Sequence, residues 1–470
     1  MGKKLVIMVC IAAMIMTNLP DWSAGADVSG TAPSEAGDTV VGNARLGSKE
    51  IIMGDRFIEN ETLWNDTVIT LNGNLTVNET GSLTLDNVTL LMNCSFNGEY
   101  HIKVQSGGEM YILNNSNIRS ANEYRYLFWV KNDSNFEMRD SELSGCGFDS
   151  DYYNQGLVIE ASNVVIENSA FSNNYNGIIL SSSNNSITNC MFYNNHYGIY
   201  LHNSSGNIVK NCVFSNNNEG IHLFSSSNNE ISNCYVSKNP IGIHLSSSDN
   251  NKIADCVFDK NDYYGIILFS SHNNNITGCV FCKNNYASIY LSYSSKNTIS
   301  SCTSLKSVTG IHFSYYSNNN IVKGCNISDN VNGINITSSS NSNFIYNNTL
   351  DNVNNAYDEC TNYWNSSSNG NYWSDYNGTD EYSIPGGNNK DSYPSGIFKK
   401  ETKIEEGMPI MYPVIICIAI ILVCIMLYGV IETKTIIIRC PACGKTIRVK
   451  KKVRPFNLEC KHCGRKGVLR

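Results

Sequence analysis

An all-β parallel solenoid of about 22–23 residues per coil is the fold this sequence predicts, on three observations. Seven cysteines, Cys190, Cys212, Cys234, Cys256, Cys279, Cys302 and Cys325, follow one another at steps of 22 or 23 residues. Five positions before each stands an asparagine (Asn185, Asn207, Asn229, Asn251, Asn274, Asn297, Asn320), and Asn343 extends that row. Between them apolar and polar residues alternate over short stretches divided by Asn, Ser and Gly, which is the period of strands and not of helices. A unit of this length cannot bury its apolar face alone, so successive units stack, one coil per repeat. Equivalent side chains then lie above one another at about 4.8 Å.

The chain begins with Lys3 and Lys4, an apolar run over 5–16 and Ala24-Gly25-Ala26. Charged start, short apolar core and small-residue site predict a signal peptide over 1–26. Residues 27–49 read as a flexible segment. The solenoid with its closing segment is expected over 50–384. Its first coils, at 67–71, 75–77, 83–85, 88–92 and 102–104, are less regular in length than the later ones. Counting coils gives on the order of fourteen and a rod of about 65 Å.

Within each unit the Asn column is expected to bond amide to amide along the axis. A Gly column (Gly198, Gly220, Gly242, Gly265, Gly310, Gly333) is expected at a corner with φ > 0 or close backbone approach. The cysteines share the inward pattern of Ile, Leu and Phe, so they read as small apolar core residues. Disulfides between adjacent coils and a soft-metal ladder are the alternatives.

Residues 385–408 read as a linker and 409–431 as one transmembrane helix, because 413–431 carry no charge. Residues 432–470 hold twelve Lys or Arg against Glu432 and Glu459, whereas the whole chain is net −7, so what precedes them is acidic. The positive-inside rule then puts the tail in the cytoplasm and the rod outside the cell. Asn-x-Ser/Thr sequons such as Asn65, Asn87 and Asn132 permit glycosylation of an exported rod. In the tail, Cys440-Pro-Ala-Cys443 and Cys460-Lys-His-Cys463 have the spacing of a tetrahedral zinc site, each pair followed by Gly. A closed four-thiolate site predicts a small structural zinc ribbon, and a reducing cytosol disfavours the disulfide alternative. Lys450, Lys451, Lys452 and Arg454 beside a membrane favour lipid headgroups or topology over nucleic acid.

The segments Asn355-Ala356-Tyr357-Asp358, Gly370-Asn371-Tyr372-Trp373-Ser374-Asp375-Tyr376, Gly378-Thr379-Asp380, Ile384-Pro385-Gly386-Gly387 and Tyr393-Pro394 resemble the closing signature of NosD-type proteins. The acidic stretch of that signature is reduced here to Glu381-Tyr382-Ser383. The resemblance covers roughly residues 60–395 and implies a right-handed parallel β-helix. It also implies an association with copper, through the accessory protein of nitrous oxide reductase, and a surface location, through archaeal members. Copper is not expected to carry over, since His222 and His244, on neighbouring coils of one outward row, are the best ligand candidates.

β-helices also include sugar hydrolases and lyases. Glycoside hydrolysis needs two facing carboxylates. The outward row Ile179, Tyr200, His222, His244, Ile267, Tyr290, His312, Asn335 contains no acid, and no arginine occurs between Arg139 and Arg439. The acidic patch Asp249, Asp255, Asp259 and Asp262 is stacked on non-acids, Asn233 and Gly278 for Asp255, Ser237 and Cys282 for Asp259. Tyr175, Tyr197, Tyr263, Tyr264, Tyr286, Tyr290, Tyr315 and Tyr316 offer ring faces suited to sugars. The sequence therefore predicts a noncatalytic surface protein that recognises glycans or other surface proteins, with no catalytic residue and no bound organic cofactor. A polysaccharide-processing enzyme and a copper-handling accessory protein are the alternatives.

Overall fold

The computed structural model describes residues 48–378 and 380–396, together with the strands Thr435–Arg439, Thr446–Lys450, Phe456–Glu459 and Lys466–Leu469. The expected signal peptide (1–26), most of the segment 27–49, the span 409–431 and the four ligand cysteines Cys440, Cys443, Cys460 and Cys463 lie outside the described residues. Among the described residues no helix is long and apolar enough to cross a membrane.

Three parallel sheets run the length of the rod, with sixteen, fourteen and thirteen strands. One coil contributes a strand to each: Val257–Asp259 to the first sheet, Tyr264–Phe269 to the second, Asn275–Thr277 to the third. In-register pairing carries each side chain onto its equivalent in the next coil, as in Phe258 on Phe281 and Ile266 on Ile289. The inward columns are wholly apolar and buried: Ile199, Ile221, Ile243, Ile266 and Ile289 in the second sheet, Ile187, Val209, Ile231, Ile253 and Ile276 in the third. In the first sheet Phe171, Phe192 and Phe214 stack at 5.0 and 4.9 Å between ring centres. Each such ring removed from water is worth about 1.5–3 kcal/mol.

Corners fall where the chain turns left-handed, and asparagine supplies most of them. Asn189, Asn211, Asn233 and Asp255 form one column at φ 53–56°, and Asn228, Asn250 and Asn273 another at φ 57–58°. Asn tolerates this region because its short side chain bonds locally. The Gly column does something else. Gly198, Gly220, Gly242 and Gly265 do not take positive φ; they are places of close approach, where a Cβ would stand 2.4–2.6 Å from the next coil's carbonyl oxygen. The corner half of that expectation is corrected and the packing half holds.

Three of these glycines, Gly198, Gly242 and Gly265, also make room for a ring sixteen residues on, whereas Gly220 faces Val236. A Cβ on Gly265 would meet Phe281 Cδ1 at 2.6 Å, and one on Gly242 would meet Phe258 Cδ1 at 2.9 Å. Where the Phe column is broken by Ser304, the Gly column is broken by Ser288, and the two hydroxyls bond at 2.7 Å. Small glycine opposite a ring, or serine opposite serine, keeps the layer filled.

The asparagine row behaves as its spacing predicts. Asn274 donates both its backbone N–H and its Nδ2 to Asn297 Oδ1, at 2.8 and 3.1 Å, and Asn297 repeats this on Asn320. A second buried row, Asn195, Asn217, Asn239 and Asn261, does the same. The cysteines are free and buried. Each thiol donates to a carbonyl, Cys234 Sγ to Ser232 O at 3.4 Å for example. Burial pushes the thiols of Cys212, Cys234 and Cys256 well up, so they stay protonated. They form no disulfides.

The closing segment explains its own composition. Asn343 bonds to Asn362, whose Nδ2 donates to the buried carboxylate of Asp358, which also accepts Trp364 Nε1 at 2.8 Å. In parallel, Cys325 leads through Asn348 and Asn371 to Asp391, which accepts Asn371 N at 2.7 Å and Trp373 Nε1 at 2.9 Å. A ladder that passes N–H groups along one direction needs an acceptor-only group at its end, and a carboxylate is that group. Asp391 and the strand Ser395–Gly396, paired with Tyr372–Trp373, carry the closing segment past residue 384 into the stretch expected to be linker.

In the tail, Thr435–Arg439 pairs antiparallel with Thr446–Lys450, and Phe456–Glu459 with Lys466–Leu469. Each cysteine pair lies in sequence between the two strands of one hairpin.

Candidate functional site

The outward face of the second sheet gathers the rod's aromatic and imidazole side chains. Strand pairing confirms the expected row Ile179, Tyr200, His222, His244, Ile267, Tyr290, His312, Asn335. It is not uniformly exposed. Ile179 is fully buried, and so is Val158 one coil before it. The loop bearing the single turn Tyr152–Asn154 lies over this face: Tyr152 bonds Ser181 Oγ at 2.6 Å and packs on Tyr200 and His202, ring centres 5.8 and 4.5 Å away. On the other side Trp129 Nε1 donates to Tyr153 O.

Beyond this loop the sheet carries two aromatic groups. The first is Tyr175, His196, Tyr197, Tyr200 and His222, linked ring to ring over 4.2–5.3 Å. Burial lowers the imidazole of His196 and raises the phenol of Tyr200, so both sit neutral at ordinary pH. The second is Tyr264, Tyr286 and Tyr290 with His312, at 5.2–6.4 Å.

Sequence patterning missed two features here. One is Glu219, in the column beside the row and hence absent from a reading of the row alone. It is 8% exposed, with Oε2 at 2.9 Å from His222 Nδ1 and Oε1 at 3.3 Å from His244 Nδ1. Burial alone would raise this carboxyl, but the two imidazoles outweigh it and hold it at about 2. Among the described residues, Glu219, His222 and His244 are the group whose ligand atoms converge, all within 4.8 Å of one another. The stacked non-acids around Asp255 and Asp259 are as expected, Ser237 and Cys282 flanking Asp259.

The other is Tyr293, which joins the expected Tyr315 and Tyr316 in a ladder at the edge of the same sheet, where the chain turns into its corner. Earlier coils place Asn203, Ser225, Ser247 and Ser270 at this left-handed position, and later ones place Tyr293 and Tyr315, at φ 51° and 46°. A bulky residue there costs on the order of 1–3 kcal/mol. The two rings stack, 5.5 Å apart and 14° from parallel, yet they stay 43% and 48% exposed. Tyr316, also left-handed, and Phe269 flank them.

Two family profiles match consecutive parts of the rod's sequence. The family described as "Right handed beta helix region" matches residues 73–236, and "Periplasmic copper-binding protein (NosD)" matches 225–378. This chain is a right-handed parallel β-helix protein. Solved structures similar to the β-helix include the periplasmic alginate epimerase AlgG, 14% identical, TM-score 0.44, covering 65% of this chain and 78% of that one. The A-module of the mannuronan C-5 epimerase AlgE4 of Azotobacter vinelandii is 16% identical, TM-score 0.41, over 63% and 88%. PfbA, a surface adhesin of Streptococcus pneumoniae, is 12% identical, TM-score 0.43, over 84% and 92%. No curated protein matches the sequence. Of the described residues, Glu219, His222 and His244 are the group whose imidazole and carboxylate donors converge as a transition metal would need.

Proposed function

We propose that this β-helix is the outer part of a membrane-anchored, NosD-type surface protein that recognises glycans without cleaving them. The observation that carries the reading is the stacked, half-exposed pair Tyr293 and Tyr315, kept in a left-handed conformation that Ser or Asn would adopt more cheaply. Strain that buys no burial is strain kept for a surface role. Stacked phenol rings present flat apolar faces with hydroxyls at their edges, the complement of a sugar ring. Glu219, ionised down to about pH 2, is unsuited to the general acid that glycoside hydrolysis needs.

The anchor is the charge-free segment 413–431, with signal peptide 1–26 before the rod and the basic tail inside the cell. In the tail, Cys440, Cys443, Cys460 and Cys463 would hold structural zinc. The hairpin pairing on either side of each cysteine pair supports that reading.

The test is a glycan array probed with the full-length protein in detergent, alongside Tyr293→Ala and Tyr315→Ala. Each lost stacking face is worth about 1 kcal/mol, or roughly five-fold in affinity. Binding of defined glycans that weakens in both variants is the expected result. Binding unchanged by both substitutions, or none at all, overturns the reading.

A further inference from the structure

Glu219, His222 and His244 meet by construction, not by accident of a crowded surface. In-register pairing sets His222 directly on His244, ring centres 4.4 Å apart, and brings Glu219 from three residues earlier in the same strand to face both imidazoles. Glu219 is buried, and the two His side chains are only 13% and 20% exposed. Tyr197 and Tyr200 press edge-on against His222, at 5.2 and 5.1 Å, and fix its ring.

Such a cluster would ordinarily be closed by hydrogen bonds, and this one has only the contact of His244 Nδ1 with Glu219 Oε1 at 3.3 Å. Both ring nitrogens of His222 and Oε2 of Glu219 are buried without a hydrogen-bond partner, although Nδ1 and Oε2 are 2.9 Å apart. The contact is close but out of line for N–H donation. Leaving a buried polar group unpaired costs about 1–3 kcal/mol, and a charged one more. Two buried ring nitrogens and a buried carboxylate oxygen left without partners at this separation are groups that a cation between them would organise.

We propose that Glu219, His222 and His244 bind one divalent first-row transition-metal ion on the outer face of the second sheet. Two imidazole nitrogens and one carboxylate oxygen are the donor set of such ions. Calcium and magnesium take all-oxygen shells and soft copper(I) takes sulfur, so neither fits. Tetrahedral ligands at 2.0–2.1 Å stand about 3.3 Å apart, and the three ligand atoms here lie within 4.8 Å of one another, so small side-chain rotations close the site. Three protein ligands on an outward face leave at least one coordination position open. This site is independent of the glycan-binding reading: it would exist whether or not the tyrosine ladder binds sugar.

The experiment uses the untagged full-length protein in detergent, equilibrated with zinc sulfate, dialysed, and analysed for metal content. The tail cysteines contribute equally in every variant, so the difference between proteins is what counts. His222→Ala and His244→Ala should each retain one zinc fewer per chain than wild type, whereas His272→Ala, on a turn away from the cluster, should retain the wild-type number. Glu219→Gln should weaken uptake roughly 10- to 100-fold. Copper(II) added to the same proteins should give an electron paramagnetic resonance signal split by two imidazole nitrogens, reduced to one in each His variant. If an alanine variant unfolds, His222→Gln and His244→Gln replace it. Equal zinc content in wild type and the His variants, or a copper signal without nitrogen splitting, overturns the proposal. So does displacement of zinc by millimolar calcium.

Discussion

The pairing of Gly198, Gly242 and Gly265 with rings sixteen residues later makes a quantitative prediction where serine replaces both members, at Ser288 and Ser304. Ser304→Phe alone drives a ring into Ser288, since at the equivalent place Phe281 Cδ1 lies 2.6 Å from where a Cβ on Gly265 would stand. Overpacking of this kind costs about 1–3 kcal/mol. Ser288→Gly alone removes hydroxyl contacts at 2.7 Å to Ser304 and 3.0 Å to Ser307, for about 1–2 kcal/mol. The double variant rebuilds the pair found at Gly242 and Phe258, and the new ring burial returns about 1.5–3 kcal/mol. It should therefore unfold within about 1 kcal/mol of wild type, although the single costs add to about 2–5 kcal/mol. Urea unfolding of all four proteins, followed by near-ultraviolet circular dichroism, measures the coupling. Additivity within about 0.5 kcal/mol would refute the account of how this layer fills.

Three further outcomes follow from the same contacts. Asp391→Ala strands the Trp373 Nε1 and Asn371 N donors at the end of the ladder, so the unfolding midpoint should fall by the equivalent of about 2–5 kcal/mol, with Trp373 fluorescence shifting to the red. Glu142 is pushed up to about 7 by burial, against the pull of Arg119. A raised carboxyl stabilises the fold fully below its ordinary value near 4.5, and that contribution is lost as pH rises through 7. Glu142→Gln should then match wild type at pH 4 and exceed it at pH 8 by about 1–2 kcal/mol after allowance for solvent, and an unfolding profile flat with pH relative to wild type would contradict this. Because Cys190 through Cys325 are free and buried, dithiothreitol should leave the rod's melting temperature unchanged, and a drop of several degrees would reveal disulfides.

The sequence disclosed what repeats. The stacked Asn and Cys columns, the coil length and the outward row were legible because each residue recurs at one spacing and the backbone copies that spacing into register. What broke the period was harder to see. Ser288 and Ser304 looked like independent lapses until their hydroxyls met, and the coupling lies in packing across a coil, not along the chain. Glu219 escaped because its column holds Asn176, Tyr197, Ile241 and Tyr264 elsewhere, with no pattern to mark an acid as exceptional. Tyr293 escaped because the coils before it hold Asn203, Ser225, Ser247 and Ser270 at the same position, and only the left-handed backbone makes a tyrosine there unusual. The Gly column misled in one respect. Close approach and positive φ both select glycine, and sequence alone does not separate them. In the closing segment Asp358 and Trp373 belong to the signature and Trp364 and Asp391 do not, and the work of all four in ending two ladders emerges from the hydrogen bonds.

The central functional claim is that the rod holds sugar chains and leaves them intact. Its most direct test incubates the full-length protein with the polysaccharide it retains and follows chain length by size-exclusion chromatography, with new reducing and unsaturated ends assayed on the same samples. Retention with an unchanged elution profile and no new ends is the predicted result. Progressive shortening that disappears in Glu219→Gln or Asp259→Asn would contradict it and make the rod a catalytic one.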